Sequence, residues 1–178
     1  MKLEKSELVK LIFSIIVISV FAQLTIDVGD IPITGQTLAV LVLATFLRPI
    51  LIGYTLTFYY VLGGVGLPIF ADFNSGVEVL IGNSGGYLIG FVIGGIVVSI
   101  LAKKIAKINF IYTLLLMTLG TFIILVFGIS RLSYSFGLQK ALEYGLFPFW
   151  KGAIIKIIIG AIIVWVLKNK HDLGLGTK

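Results

Sequence analysis

The chain has 178 residues, of which 58% are hydrophobic and 12% are charged, and its formal net charge is +6. A water-soluble domain carries about 25% charged residues, so this composition excludes a soluble globular protein, and the high apolar content excludes a disordered chain. The sequence contains no cysteine, which excludes disulfides, thiolate catalysis and cysteine-based metal sites. The composition therefore predicts an all-α integral membrane protein.

Apolar stretches follow one another along the whole chain, most of them close to the 20 or so residues that cross a hydrocarbon core about 30 Å thick. They predict one compact domain, residues 1–178, with six transmembrane helices. The turn between helices two and three falls at Arg48-Pro49, because proline disfavours helix in the preceding residue and begins a helix well. The predicted helices span roughly residues 8–26, 36–47, 50–64, 84–103, 109–130 and 148–168.

The basic residues predict the orientation, since lysine and arginine accumulate in short cytoplasmic loops. With a cytoplasmic N-terminus, the predicted external segments 27–35 and 65–83 contain no basic residue, whereas the third, 131–147, holds Arg131 and Lys140. Both termini are therefore predicted to be cytoplasmic, and the positive charge indicates topology, with no nucleic-acid partner. An N-terminal signal peptide is the weaker alternative, because the rest of the chain already spans the membrane. The cytoplasmic basic residues are Lys2, Lys5, Lys10, Arg48, Lys103, Lys104, Lys107, Lys168, Lys170 and Lys178.

The first two external segments are rich in glycine, proline and polar residues. Irregular backbone near a membrane is tolerated where it is buried in protein or lines a cavity, and segment 65–83 is long for a plain turn. It also contains Phe70 and Phe73, which are costly to leave in water. The pattern favours a lid that folds back over the bundle, and plain external turns are the alternative.

Lys156 interrupts the last apolar span. A cation in a transmembrane helix usually faces the bundle interior and pairs with a partner, so Lys156 could meet a polar or carboxylate group of a ligand. The alternative is a lysine that extends its amine to the membrane interface, and the residues alone leave both open. Tyr59, Tyr60 and Tyr87 likewise could form an interfacial aromatic belt or line a pocket.

No constellation for catalysis is visible. The spans contain no carboxylate pair and no histidine, and the glycine-rich stretch beginning at Gly82 lacks the Lys-Ser/Thr ending of a phosphate-binding loop. A membrane enzyme, an accessory subunit and a channel are weaker hypotheses, and any ATP-driven process needs a partner ATPase.

From about Ala22 to Lys168, the chain resembles the BioY family, the biotin-binding S components of energy-coupling-factor (ECF) vitamin transporters. Each motif alone is weak, and the resemblance rests on their order and spacing. The motifs are Ala22-Gln23, Pro32-Ile-Thr-Gly-Gln-Thr-Leu-Ala-Val40, Tyr59 to Gly63, Gly66-Leu-Pro-Ile-Phe-Ala71, Gly85-Gly-Tyr-Leu-Ile-Gly-Phe91 and Pro148-Phe-Trp-Lys-Gly152 with Lys156.

The resemblance implies a multi-pass protein of a bacterial or archaeal cell membrane, with biotin as its transported substrate and no cofactor. It implies two kinds of partner, a transmembrane coupling protein and cytoplasmic ATPases. Polar contacts to biotin are expected from Thr34, Gln36, Asn74 and Asn83, and a polar or carboxylate group is expected to meet Lys156. Tyr59, Phe70 and Tyr87 are expected to wall the ring system, and Gly85 and Gly86 to let backbone approach the ligand.

Four positions depart from the family's usual pattern. Ala153 stands where the family usually has an aspartate three residues before the lysine, so that weaker biotin binding or another carboxylate vitamin is an alternative. Asn83-Ser84 replaces the more usual Pro-Thr. Small residues four apart on the first helix allow close helix approach, and the family uses such a pair for partner docking. Here Ser19 keeps one small residue and Ile15 replaces the other.

Overall fold

The computed structural model describes residues 4–26, 33–105 and 109–169. Most of the first predicted external segment, 27–32, lies outside the described residues, as do Lys2, Lys107, Lys170 and Lys178. The described chain forms two short strands, eight α-helices and one 3-10 turn, Ala71–Phe73. The strands are β1 (Thr25–Ile26) and β2 (Ile33–Thr34), and the helices are α1 (Lys5–Ala22), α2 (Gln36–Phe46), α3 (Pro49–Gly64), α4 (Val77–Ile81), α5 (Gly85–Lys104), α6 (Phe110–Phe136), α7 (Leu138–Gly145) and α8 (Phe149–Lys168).

Local chemistry accounts for several helix ends. Pro49 is the first residue of α3, and Arg48 before it is extended, as the steric clash with a proline ring requires. The Asn109 side chain caps α6 by accepting a hydrogen bond from the Tyr112 amide at 2.8 Å. The strands β1 and β2 pair antiparallel, with Thr25 opposite Thr34.

The segment 131–147 is more helical than the sequence indicated. The apolar run ends at Arg131, but α6 continues to Phe136, because the Arg131 guanidinium donates to the Ile81 carbonyl at 2.7 Å and to the Ser135 hydroxyl at 2.6 Å. The helix stops at Gly137, which has a φ of +81°, a conformation that glycine adopts without steric cost. The short helix α7 follows and packs on α6 through the buried Ala141.

The centre of the bundle is the close pair α5 and α6. A methyl group placed on Gly90 would meet the Ile124 Cα at 2.8 Å, so glycine is what lets the two backbones approach. Large aliphatic side chains such as Ile52, Leu56 and Leu116 complete this core. The outer surface is apolar as well, with half-exposed Val9, Ile155 and similar residues all around, as expected of helices in contact with lipid.

Within the described ranges, three helices are long and apolar enough to cross a membrane, namely α5, α6 and α8. The apolar helices α2 and α3 are shorter. The two ends of the bundle differ in charge. The basic end contains Arg48, which pairs with Glu7, together with Lys103 and Lys168, and the opposite end is covered by residues 65–84, called the lid below.

Candidate functional site

A cavity of about 390 Å³ lies beneath the lid, within the usual range for small-molecule sites. Its walls come from β2, the first turn of α2, the lid, α5, α6 and α8. Both apolar and polar side chains face it, the combination that holds a small ligand and fixes its orientation. Among the described residues, no group of His, Cys, Asp and Glu side chains could hold a metal ion.

The lid is fastened to the bundle by side chains from three helices. From the end of α1, the Gln23 side chain donates to the Phe70 carbonyl at 3.0 Å and accepts from the Phe73 amide at 2.9 Å. From α3, the Tyr59 hydroxyl donates to the Ile69 carbonyl at 2.7 Å, and from α6 Arg131 holds the carboxyl end of α4. Residues 65–84 therefore fold back over the cavity as a lid, the arrangement that the sequence favoured over plain turns.

One continuous set of hydrogen bonds runs from α8 to the lid. The Lys156 ammonium donates to the Thr34 carbonyl at 3.1 Å, and the Thr34 hydroxyl donates to the Gln36 side-chain oxygen at 3.1 Å. The Gln36 amide nitrogen then donates to the Tyr59 hydroxyl at 2.7 Å. The Lys156 amine thus lies at the cavity wall inside the bundle, in contrast to the alternative in which it extends to the membrane interface. An ammonium has three donors, so two remain for a ligand.

Aromatic rings form the apolar walls. Tyr87 on α5 and Phe149 on α8 are stacked, with 5.7 Å between ring centroids and 16° between planes. The Tyr87 hydroxyl donates to the Gly145 carbonyl at 3.0 Å. Phe70 of the lid is 1% exposed and meets Tyr59 edge-on. These contacts fix the rings, so that the apolar walls are formed before a ligand enters.

The structure brings most of the sequence-predicted ligand residues together. The ones that line the cavity are Thr34, Gln36, Phe70, Asn74, Asn83, Tyr87 and Lys156. Tyr59 lies behind this layer, fully buried, where it supports Gln36 and the lid. Tyr59 and Tyr87 are both buried, so neither of them forms part of an aromatic belt that faces lipid.

Gly85 and Gly86 lie outside the cavity lining. A methyl group on Gly85 would overlap the Leu80 carbonyl, and one on Gly86 would overlap the Arg131 side chain and the α6 backbone. Their small size serves the packing of α5 against α4 and α6. Their neighbours Asn83 and Ser84 face the cavity instead.

Sequence reasoning missed several lining residues. Glu78 on α4 is an exposed carboxylate at the cavity, and Thr121 on α6 is 6% exposed. Ala153, which the sequence analysis did single out, lines the cavity one turn before Lys156. Glu78 had a usable signal, because it is an acidic residue within an unusual loop. Thr121 had none, since threonines are scattered through the same apolar helix.

The two predicted docking residues, Ile15 and Ser19, lie half-buried on α1. The Ser19 hydroxyl donates to the Ile15 carbonyl at 2.8 Å, the usual back-bond of serine within a helix. Beside them runs an exposed apolar stripe that contains Ile12, Ile16 and Val20.

Comparison with known proteins identifies relatives over nearly the whole chain. Residues 1–172 match the model of the BioY family. The "Probable biotin transporter BioY" of Rickettsia prowazekii is 31% identical over 163 residues, 92% of this chain and 84% of that protein. The "Biotin transporter BioY" of Thermotoga maritima is 35% identical over 159 residues, 89% of this chain and 92% of that protein.

A solved structure shares the fold. The crystal structure of the S component for biotin from an ECF-type ABC transporter superposes with a TM-score of 0.82. The alignment covers 94% of this chain and 95% of that one, at 23% sequence identity. The apolar helices and these relatives indicate a multi-pass membrane protein. Because the family model matches residues 1–172 of the chain, the chain belongs to the BioY family.

Proposed function

We propose that this protein is the biotin-binding subunit of an ATP-driven uptake transporter in a bacterial or archaeal cell membrane. The observation that carries the proposal is the cavity beneath the lid, with the Lys156 ammonium on its wall. Its volume suits a vitamin-sized molecule, and the relatives are named as biotin transporters. Those names also argue for a carrier and against an enzyme.

The cavity has the chemistry that biotin needs. Biotin combines an apolar bicyclic ring, a ureido group and a carboxylate. In the proposed complex the ring lies against Phe70, Tyr87 and Phe149. Burial of its apolar surface there stabilises the complex by about 25 cal/mol for each Å² removed from water. The polar groups of biotin meet Lys156 and the cavity-facing set Thr34, Gln36, Asn74 and Asn83. Three further residues support the site without contacting biotin. Tyr59 holds Gln36 and the lid, and Gly85 and Gly86 allow the close packing of the start of α5.

We propose further that the chain crosses the membrane six times, through α1, α2, α3, α5, α6 and α8, with both termini in the cytoplasm. The Arg48–Glu7 pair and the Lys168 bond to the Thr45 carbonyl bring the start of α1 and the end of α8 to the same, basic end. Basic residues mark the cytoplasmic side, so the lid faces outward, where substrate is captured.

Transport energy then comes from partners, a coupling protein in the membrane and cytoplasmic ATPases. The proposed docking surface is α1 around Ile15 and Ser19, with the adjacent apolar stripe. We expect Ser19→Leu to reduce co-purification of the coupling protein while biotin binding by the isolated chain stays unchanged. Equal co-purification would remove α1 from the docking surface.

Calorimetric titration of the purified protein tests the function. We expect one biotin per chain with a Kd below about 1 μM, or about −8 kcal/mol. Ala153 favours one second candidate, another carboxylate vitamin, because this cavity residue beside Lys156 lacks the carboxylate usual in the family. Absence of heat with biotin, together with binding of another such vitamin, would select that candidate.

A further inference from the structure

The hydroxyl groups on α6 fall into two kinds. The Thr118 hydroxyl donates to the Leu114 carbonyl at 2.8 Å, the Ser130 hydroxyl donates to the Val126 carbonyl at 2.7 Å, and Thr113 bonds the Phe110 and Ala161 carbonyls. Apart from the bond to Ala161 on α8, these are the back-bonds that serine and threonine make in helices. Thr121 and Ser133 differ, because neither hydroxyl has a hydrogen-bond partner among the described residues, and of the two only Thr121 lines the cavity.

Thr121 is only 6% exposed, and it lines the cavity. A buried hydroxyl that remains unpaired is unfavourable, and most buried side-chain polar atoms in proteins have a partner. A free hydroxyl that lines a cavity is therefore suited to a hydrogen bond with a bound molecule.

The packing of α6 on α8 places Thr121 at the level of Lys156. The Thr113 hydroxyl reaches the Ala161 carbonyl at 3.3 Å, and a methyl group on Gly160 would meet the Met117 sulfur at 3.0 Å. The two helices are antiparallel, so one further turn along α6 from Met117 corresponds to one turn back along α8 from Gly160. Those positions are Thr121 and Lys156, and both line the same cavity.

We propose that the Thr121 hydroxyl and the Lys156 ammonium together bind one acceptor oxygen of the ligand. Both groups donate hydrogen bonds, and the ammonium retains donors beyond the one given to Thr34. The inference rests on the proposed function and adds to it a contact from the middle of α6. In biotin the acceptor is either the ureido carbonyl or the carboxylate.

Thr121→Val tests the contact, because valine keeps the shape of threonine and removes the hydroxyl. We expect the Kd for biotin, measured by calorimetry, to rise about tenfold, in line with a hydrogen bond to a buried or charged group. Thr121→Ser keeps the hydroxyl and is expected to stay within about threefold of the wild type. The matched control is Thr118→Val on the same helix, whose hydroxyl is bonded to Leu114, and it should bind as the wild type does.

Lys156→Met and the double variant show whether the two groups share one atom. If they do, the double variant should lose less affinity than the product of the two single losses, as is usual for coupled neighbours. A biotin analogue in which a methyl group replaces the carboxylate then assigns the oxygen. An equal Thr121→Val penalty with this analogue supports the ureido carbonyl, and a vanished penalty supports the carboxylate.

Failure of the contact can be told apart from failure of the function. If Thr121→Val binds biotin with the wild-type affinity while Lys156→Met loses binding, the proposed contact is wrong and biotin binding itself still stands. Equal losses in Thr121→Val and Thr121→Ser would also overturn it, since a lost hydroxyl would not then be the cause. No binding by the wild type would overturn the proposed function, and the contact with it.

Discussion

Two lysines of α8 make the same bond at opposite ends of α2. Lys156 donates to the Thr34 carbonyl, just before α2 begins, at 3.1 Å, and Lys168 donates to the Thr45 carbonyl, in its last turn, at 2.7 Å. Their surroundings differ. Lys168 lies 5.3 Å from the centre of the Phe46 ring at the basic end, whereas Lys156 faces the cavity under the lid.

The difference separates a structural cation from a binding one. Lys168 acts with Lys103, which donates to the Phe46 carbonyl at 3.1 Å, and with Ser99, which donates to the Leu47 carbonyl at 2.6 Å. Together these side chains satisfy carbonyls that a helix leaves unpaired at its carboxyl end. The lid end of α2 is its amino end, which does not leave helix carbonyls unpaired in this way. The ammonium of Lys156 is therefore available to an anionic or polar ligand.

The largest expected effect is that of Lys156→Met. It removes the cavity-wall ammonium and keeps much of the apolar stem, so the Kd for biotin should rise by more than tenfold, or more than about 1.4 kcal/mol. Calorimetry measures the change, and Lys168→Met is the matched control, which should bind biotin normally. Unchanged affinity in Lys156→Met would assign this lysine a structural role like that of Lys168.

Gln23→Leu sharpens the comparison by loosening the lid. The substitution removes both bonds between the Gln23 side chain and the lid backbone, each worth about 1 kcal/mol. We expect biotin to dissociate about tenfold faster in a stopped-flow experiment. Thr57→Val, which removes an exposed hydroxyl bonded to Gly53 within its own helix, is the control. Equal dissociation rates in the two variants would show that the lid does not limit release.

Lys168→Met tests the basic end. Loss of a cation from the carboxyl end of α2 should lower the free energy of unfolding by about 1 kcal/mol, which corresponds to a Tm lower by about 2–4 °C for a chain of this size. Thermal unfolding in detergent measures it. A fall in biotin affinity without a change in Tm would reverse the roles assigned to the two lysines.

Glu78→Gln should have the smallest effect. Glu78 is exposed at the cavity, and within the described ranges it has no salt bridge. Its charge repels the carboxylate of biotin only weakly through solvent, so the substitution should strengthen binding by no more than about threefold at low ionic strength. The gain should vanish in about 0.5 M salt. A loss of affinity would instead indicate that Glu78 accepts a hydrogen bond from the ligand.

The sequence predicted the helices well where apolar runs end at a special residue. Pro49 begins α3 as expected. The end of α6 was not predictable, because Arg131 ends the apolar run, and only the folded structure supplies the Ile81 carbonyl that satisfies its charge. The lid was foreseen, because segment 65–83 is long for a plain turn and contains Phe70, which is costly to leave in water.

The site was predictable where residue type alone is informative. A lysine within a span and aromatic or amide side chains in unusual loops indicated much of the cavity lining. The face of a packed helix on which a residue lies could not be inferred, since a helix that is apolar all round gives no periodic signal. Thr121 therefore looked like Thr118, and Gly85 and Gly86 looked like ligand contacts although they serve helix packing.

The most direct test of the central claim is a crystal or cryo-electron-microscopy structure of the protein with biotin bound. The account predicts ligand density enclosed beneath residues 65–84, with an oxygen within hydrogen-bonding distance of the Lys156 Nζ and the ring between Phe70 and Tyr87. Biotin bound elsewhere, or in this cavity with no contact to Lys156, would contradict it.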